Sequence, residues 1–371
     1  MKTKQLFILL LTVTITLLFA QCNKDDDDID NDNTILPTAF MVDIPESISK
    51  SSLQSKGDTK DSLEVSGNDL YTNLRTFVGV GEDAALLVQA IIFAIVVYDI
   101  NEPMSFTYES NDDQRTKRLV VVENSSFNNV NWEFQLTITD VESESNADGG
   151  KAMQVFWNRS PKKGIAIVKP HNIDMDNAEF PEDVMYSVEY SEEGEMGYEK
   201  HMIVSITGLP SIDPEHHPFE ITALKMFAGK NGDVIDVFGN SNHPNAPFFT
   251  TPGVDWAFVG SAEDNLDIGV AEVGLPPNDL DETNSDVLLE NYSMMTVLSA
   301  YCTALGLDSA TTASLLVNAD APGYFDHNGF VTGGTPPAGT ESMYEDLENN
   351  IEYLSPYNPK LINDLVISFK D

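Results

Sequence analysis

Two periods of apolar residues divide the chain. Between about residues 104 and 275 apolar and polar positions alternate: Trp132, Phe134, Leu136 and Ile138 are separated by Glu133, Gln135 and Thr137, and Met202, Val204 and Ile206 repeat the pattern. Alternation sends successive side chains to opposite faces, so these segments predict strands with one dry and one wet side. Segments at 105–109, 118–123, 151–158, 164–169, 185–190, 220–228, 233–238, 256–260 and 267–273 read the same way, giving about eleven strands. The links between them are short and contain Gly or Pro, as in Pro161-Lys162-Lys163-Gly164 and Gly229-Lys230-Asn231-Gly232. Such links favour hairpins, and hence an antiparallel meander over a β-α-β sheet.

Helical spacing flanks this region. A short helix is expected at 68–78 and, after Gly79-Val80-Gly81, a second at 84–98, AALLVQAIIFAIVVY. Its fifteen residues rise only about 22 Å, short of a bilayer, so it is read as a helix inside the protein. Further helices are expected from Val287 to Leu305, from Ser309 to Val317 and from Glu341 to Tyr353, with Gly323 to Gly339 as a surface loop. No repeat of fixed length is present. A sheet with one apolar side needs a cover, and the 84–98 helix can supply it. The expected fold is therefore α+β: a long antiparallel β meander, as a curved sheet or half-barrel, packed on an apolar helix, with C-terminal helices. Residues 68–371 would form one domain, β-rich over 104–275 and mainly helical over 279–371.

The N-terminus has a different pattern. Lys2 and Lys4 precede the run Leu6-Phe7-Ile8-Leu9-Leu10-Leu11, and the oily stretch ends at Leu18-Phe19-Ala20-Gln21-Cys22. Residues 1–21 read as a secretory signal peptide. Residues 22–67 are polar and acidic apart from Phe40-Met41-Val42-Asp43-Ile44-Pro45, and are expected to form a flexible tether. The Leu18 to Cys22 junction resembles the lipobox of bacterial lipoproteins, with Phe19 and Gln21 departing from the usual aliphatic and small residues. Lys24 and the run Asp25, Asp26, Asp27 and Asp28 resemble the acidic export signal of surface lipoproteins from the Bacteroidota. The resemblance covers about the first 30 residues. It implies an acylated Cys22, held by outer-membrane lipid, and a chain facing the cell exterior. Asp61-Ser62-Leu63 and Asp308-Ser309-Ala310 resemble the short O-glycosylation sequon of the same group, which implies modification at Ser62 and Ser309.

Composition narrows the function. The chain has 371 residues, 42% of them apolar, enough for a substantial core. Acids outnumber bases 60 to 20, and loss of Lys2 and Lys4 with the leader leaves 18 bases and 42 net negative charges. That field disfavours nucleic acid as a partner. With Cys22 acylated, Cys302 has no disulfide partner, and its apolar surroundings mark it as a buried thiol.

Motifs for chemistry are sparse. Gly79-Val80-Gly81-Glu82-Asp83-Ala84 matches G-x-G-x-x-A, but two carboxylates would stand where a pyrophosphate should bind. The histidines, among them the adjacent His216 and His217, lack zinc-ligand spacing and are expected in exposed loops. No metal site or cofactor is assigned; Glu263 to Asp267 and Asn278 to Glu282 offer oxygen ligands for calcium without a recognised spacing. No G-x-S-x-G, C-x-x-C or Walker loop occurs. A non-enzymatic surface lipoprotein that binds a partner, for instance another outer-membrane protein, is the first expectation. The second is a carrier of lipid or another apolar ligand, similar in architecture to half-barrel lipoprotein carriers of the LolA and mycobacterial LppX type, with Trp132, Phe134, Phe156 and Trp157 lining the cavity. The third is a polysaccharide hydrolase, which requires carboxylates about 5 to 9.5 Å apart in a cleft.

Overall fold

The computed structural model describes residues 35–37, 39–50, 66–96, 98, 100–178, 180–210, 220–246, 253–277, 290–352, 362 and 365–371. Helix α1 (Gly67–Val96) is followed by β1 (Met104–Glu109), β2 (Thr116–Phe127), β3 (Val130–Asp140), β4 (Lys151–Arg159) and β5 (Lys162–Val168). A single helical turn, α2 (Pro170–Ile173), leads to β6 (Met185–Ser191), β7 (Lys200–Thr207), β8 (Ala223–Asn231), β9 (Val234–His243), β10 (Val254–Glu263) and β11 (Ile268–Gly274). Then come α3 (Met294–Ala304), α4 (Ser309–Leu315), the hairpin of β12 (Gly323–Asp326) and β13 (Gly329–Gly333), and α5 (Glu341–Glu352).

The fold is the expected α+β meander. The 13 strands among the described residues join one sheet in the order of the chain, and each is antiparallel to its neighbours. The sheet is open, with β1 and β13 as its edges. The eleven expected strands are β1 to β11; β12 and β13 correct the surface loop expected over Gly323 to Gly339. Turn chemistry explains the tight connections. Asn128 and Asn129 take φ of 51° and 62°, the left-handed pair that suits a two-residue hairpin between twisted strands.

Helix α1 runs for 30 residues through Gly79 and Gly81, where a break was expected. Both glycines are buried, and a Cβ on Gly81 would stand 2.5 Å from Cε of Met226 on β8, so packing against the sheet explains that residue. The helix crosses the strands from the last to the first. Near its start Tyr71 meets Phe325 and Phe330 at 5.7 and 4.7 Å; further on, Phe77 meets His243 and Trp256 at 4.8 and 5.3 Å. Just past its end, Tyr98 meets Phe106 and Tyr108 of β1 at 4.8 and 5.5 Å.

Residues 35–37 and 39–50 correct the tether expected there. They form a strap along α1, with Phe40, Val42, Ile44 and Ile48 buried in the same core as the helix and the sheet. Gln89 accepts from the amide of Phe40 at 3.0 Å, Glu82 from the amide of Ile44 at 3.3 Å and from Ser49 Oγ at 2.6 Å, and Asp267 from the amide of Ser47 at 3.0 Å. The strap sits on glycines of the sheet. A Cβ on Gly164 of β5 would come within 2.5 Å of the Phe40 ring, and one on Gly269 of β11 would collide with Ile48.

The other face of the sheet is also covered, which corrects the picture of a wet side. Tyr344, Leu347 and Ile351 of α5 pack with Val259 and Val270, while Ile367 and Phe369 from the C-terminal segment pack on Trp132, Phe156, Ile165 and Ile167. Strand β11 is consequently buried along its full length. The edge strand β1 alternates between half-buried and exposed positions.

Candidate functional site

Cys22, Lys24, Asp25 to Asp28 and Ser62 lie outside the described residues. The first described residue near them is Ile35, and it is fastened at both of its peptide groups. Its amide donates to the carbonyl of Ile100 at 3.0 Å, and its carbonyl accepts from Nε1 of Trp157 at 2.8 Å. This is the root at which the N-terminal segment joins the body.

An aromatic group lies beside that root, since Ile100, which holds the Ile35 amide, is two positions from Tyr98. Phe106 and Tyr108 project from β1 two residues apart, so strand alternation puts both on the helix side, and Tyr98 closes over them from the end of α1. Tyr98 is 38% exposed and Phe93 46% exposed. Burial, aided by Tyr98, pushes the Tyr108 hydroxyl up to about 12, so the group carries no charge at neutral pH. Along α1, Val88, Ile92 and Ile95 face the core, whereas Leu86, Ala90, Phe93 and Ala94 follow the opposite helical stripe. That stripe is half-buried at Leu86 and Ala90 and exposed at Phe93 and Ala94. Thus the helix expected to lie inside the protein has an apolar outer face over its C-terminal half.

The four aromatic residues expected to line one cavity are divided. Phe134 and Trp157 stack at 5.4 Å in the core shared with α1, with the Arg159 guanidinium 5.0 Å from the Phe134 ring. Trp132 and Phe156 belong to the cluster under the C-terminal segment, where Phe156 stacks on Phe127 at 4.5 Å. All four are buried. Between α1, the strap and β9 to β11, a void lined by Ile48, Leu74, Val78, Val237 and Phe258 has a volume of about 10 Å³. That is room for one water at most.

Polar groups in the interior are largely satisfied by one another. Lys117 Nζ donates to Asp113 and Asp140 at 2.7 and 2.8 Å and to the carbonyl of Asn172 at 3.1 Å, and Arg115 clasps Asp140 through two nitrogens at 2.7 and 2.6 Å. Burial by itself would raise the Asp140 carboxyl, but these donors overcome it and hold the group well below the usual range. A Ser–His contact of the kind used by nucleophilic enzymes occurs at Ser241 Oγ and His243 Nε2, 2.6 Å apart. Both residues have no exposed surface, and Phe77 and Trp256 pack on the imidazole, so no substrate reaches them. His201 is likewise buried on a strand, at 4% exposure, against Phe227. These two correct the expectation of loop histidines, while His216 and His217 lie outside the described residues. Asp236 accepts from Ser261 at 2.7 Å and Tyr198 at 3.0 Å, and burial raises its carboxyl above the ordinary value despite these bonds. Glu272 is 1% exposed, its Oε1 has no hydrogen-bond partner among the described residues, and burial pushes its carboxyl well above the ordinary range.

The remaining expected sites are simpler. Ser309 is exposed at the first turn of α4, and Asp308, not Ser309, caps that helix by accepting from the Thr311 amide at 2.7 Å. Cys302 is a buried free thiol. Of the acidic loops, Asp264 binds Lys230 at 3.0 Å and Asp267 holds the strap; residues 278–282 lie outside the described residues. Among the described residues no three His, Cys, Asp or Glu side chains cluster as metal ligands.

No known protein family, curated protein or solved structure matches this chain.

Proposed function

We propose that the chain is a lipid-anchored binding protein on the outer surface of a bacterial outer membrane, acting by contact with a partner and not by catalysis. The anchor is the acylated Cys22, and Lys24 with Asp25 to Asp28 is the export label. The observation that carries the reading is the junction of an oily leader with Cys22 and four aspartates, followed in the chain by a strap that is fastened into the core. A protein hung from its N-terminus needs that first segment secured, and Ile35, Phe40 and Ile48 secure it. The acidic field selects against polyanions as the partner.

Cell fractionation tests the anchor. Cys22→Ser is expected to move the protein from the membrane to the soluble fraction. Replacing Asp25 to Asp28 with Ala is expected to leave it membrane-bound but inaccessible to protease added to intact cells. Retention of the Cys22→Ser chain on membranes would refute the anchor, and digestion of the alanine variant would refute the export label.

A further inference from the structure

The outer face of α1, with the aromatic group at the β1 edge, lacks an obvious role in folding. By length and composition α1 is apolar enough to cross a bilayer, yet less than half of its most apolar stretch is buried in the protein. It cannot cross while its other side is packed across the sheet. Such a helix can still lie along an interface, its apolar side toward the acyl region. From Ala84 to Tyr98 the sequence contains no charged residue.

We infer that this face rests on the lipid surface to which the chain is tethered. The inference depends on the lipid-anchored reading of Cys22. Thirteen residue steps separate Cys22 from Ile35, a reach of at most about 45 Å even when fully extended. Ile35 is bonded to Ile100, two positions from Tyr98, so the tether enters the body beside the aromatic group. A tether of this length holds its root within that reach of the bilayer, and the surface next to the root is the part of the body nearest the anchor. The tyrosines there suit the headgroup level, where rings with an apolar body and a polar tip concentrate, and the apolar Phe93 suits the acyl side of it. Glu102 and Glu109, exposed just before β1 and at its end, put acids at this edge of the sheet, which favours zwitterionic over anionic headgroups. A second copy is the less suitable occupant, because two strongly acidic bodies would have to meet at this rim.

The test uses the mature chain, residues 22–371, with Cys22 coupled to a maleimide-bearing lipid in phosphatidylcholine vesicles. Anchoring then does not depend on whether cells acylate Cys22. Phe93→Trp places a reporter on the face, and Met343→Trp places one on α5, across the sheet at a residue 42% exposed. The native tryptophans are buried and give a constant background. On vesicles containing nitroxide-labelled phosphatidylcholine, the emission added by Phe93→Trp is expected to be largely lost, while that added by Met343→Trp is retained. Equal emission from Phe93→Trp on labelled and unlabelled vesicles overturns the inference and leaves the anchor reading intact. A dimer in solution that Phe93→Asp dissociates also overturns it, by assigning the face to a second copy. Failure of the anchor itself is read separately, in the Cys22→Ser fractionation.

Discussion

Glu82 shows how one residue can serve the fold and set its pH response. It is where α1 grips the strap, accepting from the Ile44 amide and Ser49 Oγ. Burial raises its carboxyl to about 7, more than these hydrogen bonds lower it, with Asp83 and Asp43 adding to the rise. The folded state therefore holds a proton that the unfolded chain releases near pH 4.5. Its stability contribution is complete below that pH and declines as pH rises toward 7. Glu82→Gln keeps an acceptor without the charge. It is expected to match the wild type at pH 4 and to exceed it at pH 8 by about 1–3 kcal/mol, read from urea unfolding at both pH values. A constant difference across pH would show that Glu82 is not the titrating group. In the sequence, Glu82 and Asp83 stand between Gly79-Val80-Gly81 and the helix expected at 84–98, because the glycines suggested a break there. What they border is the inside of a longer helix, and glycine's close-packing role was hidden without the facing Met226.

At the scale of elements, β1 to β11 were legible because strands of six to twelve residues give alternation room to repeat. The hairpin of β12 and β13 has strands of four and five residues, rich in glycine, so period alone could not reveal it. Its signal was the turn His327-Asn328-Gly329 between two short apolar runs. The strap also left a trace: Phe40, Val42 and Ile44 alternate with Met41 and Asp43, and only the acidic context made them look like tether. The shared-cavity expectation failed for a reason the sequence already contained. Phe156 and Trp157 are adjacent on a strand, and adjacent residues face opposite ways. The strap's seat makes a coupled prediction. Phe40→Ala is expected to cost about 3–5 kcal/mol by opening a cavity. Gly164→Ala is also expected to destabilise the wild type, since its methyl group meets the Phe40 ring, but to cost less in the Phe40→Ala background. Urea unfolding of the four chains checks the sign, and strict additivity would separate the two sites.

The whole molecule carries a formal charge of −40. Its described ion pairs bind few of those acids, so the remainder repel across a compact body. Raising NaCl from about 0.02 to 0.5 M shortens the screening length from roughly 20 Å to about 4 Å and is expected to raise the melting temperature, by about 2 °C for each kcal/mol of repulsion removed. An unchanged or lower midpoint would mean that the surface acids are already neutralised by bound cations.

The strap adds a mechanical consequence. It runs across the strands, so a pull on the tether loads Ile35 first, then Phe40, then Ile44, each held by its own few contacts. Hydrogen bonds broken in succession resist far less than those sheared together, as between neighbouring strands of the sheet. Drag on the body would therefore peel the strap before it disturbed the β meander, lengthening the leash while the rest of the fold stays intact.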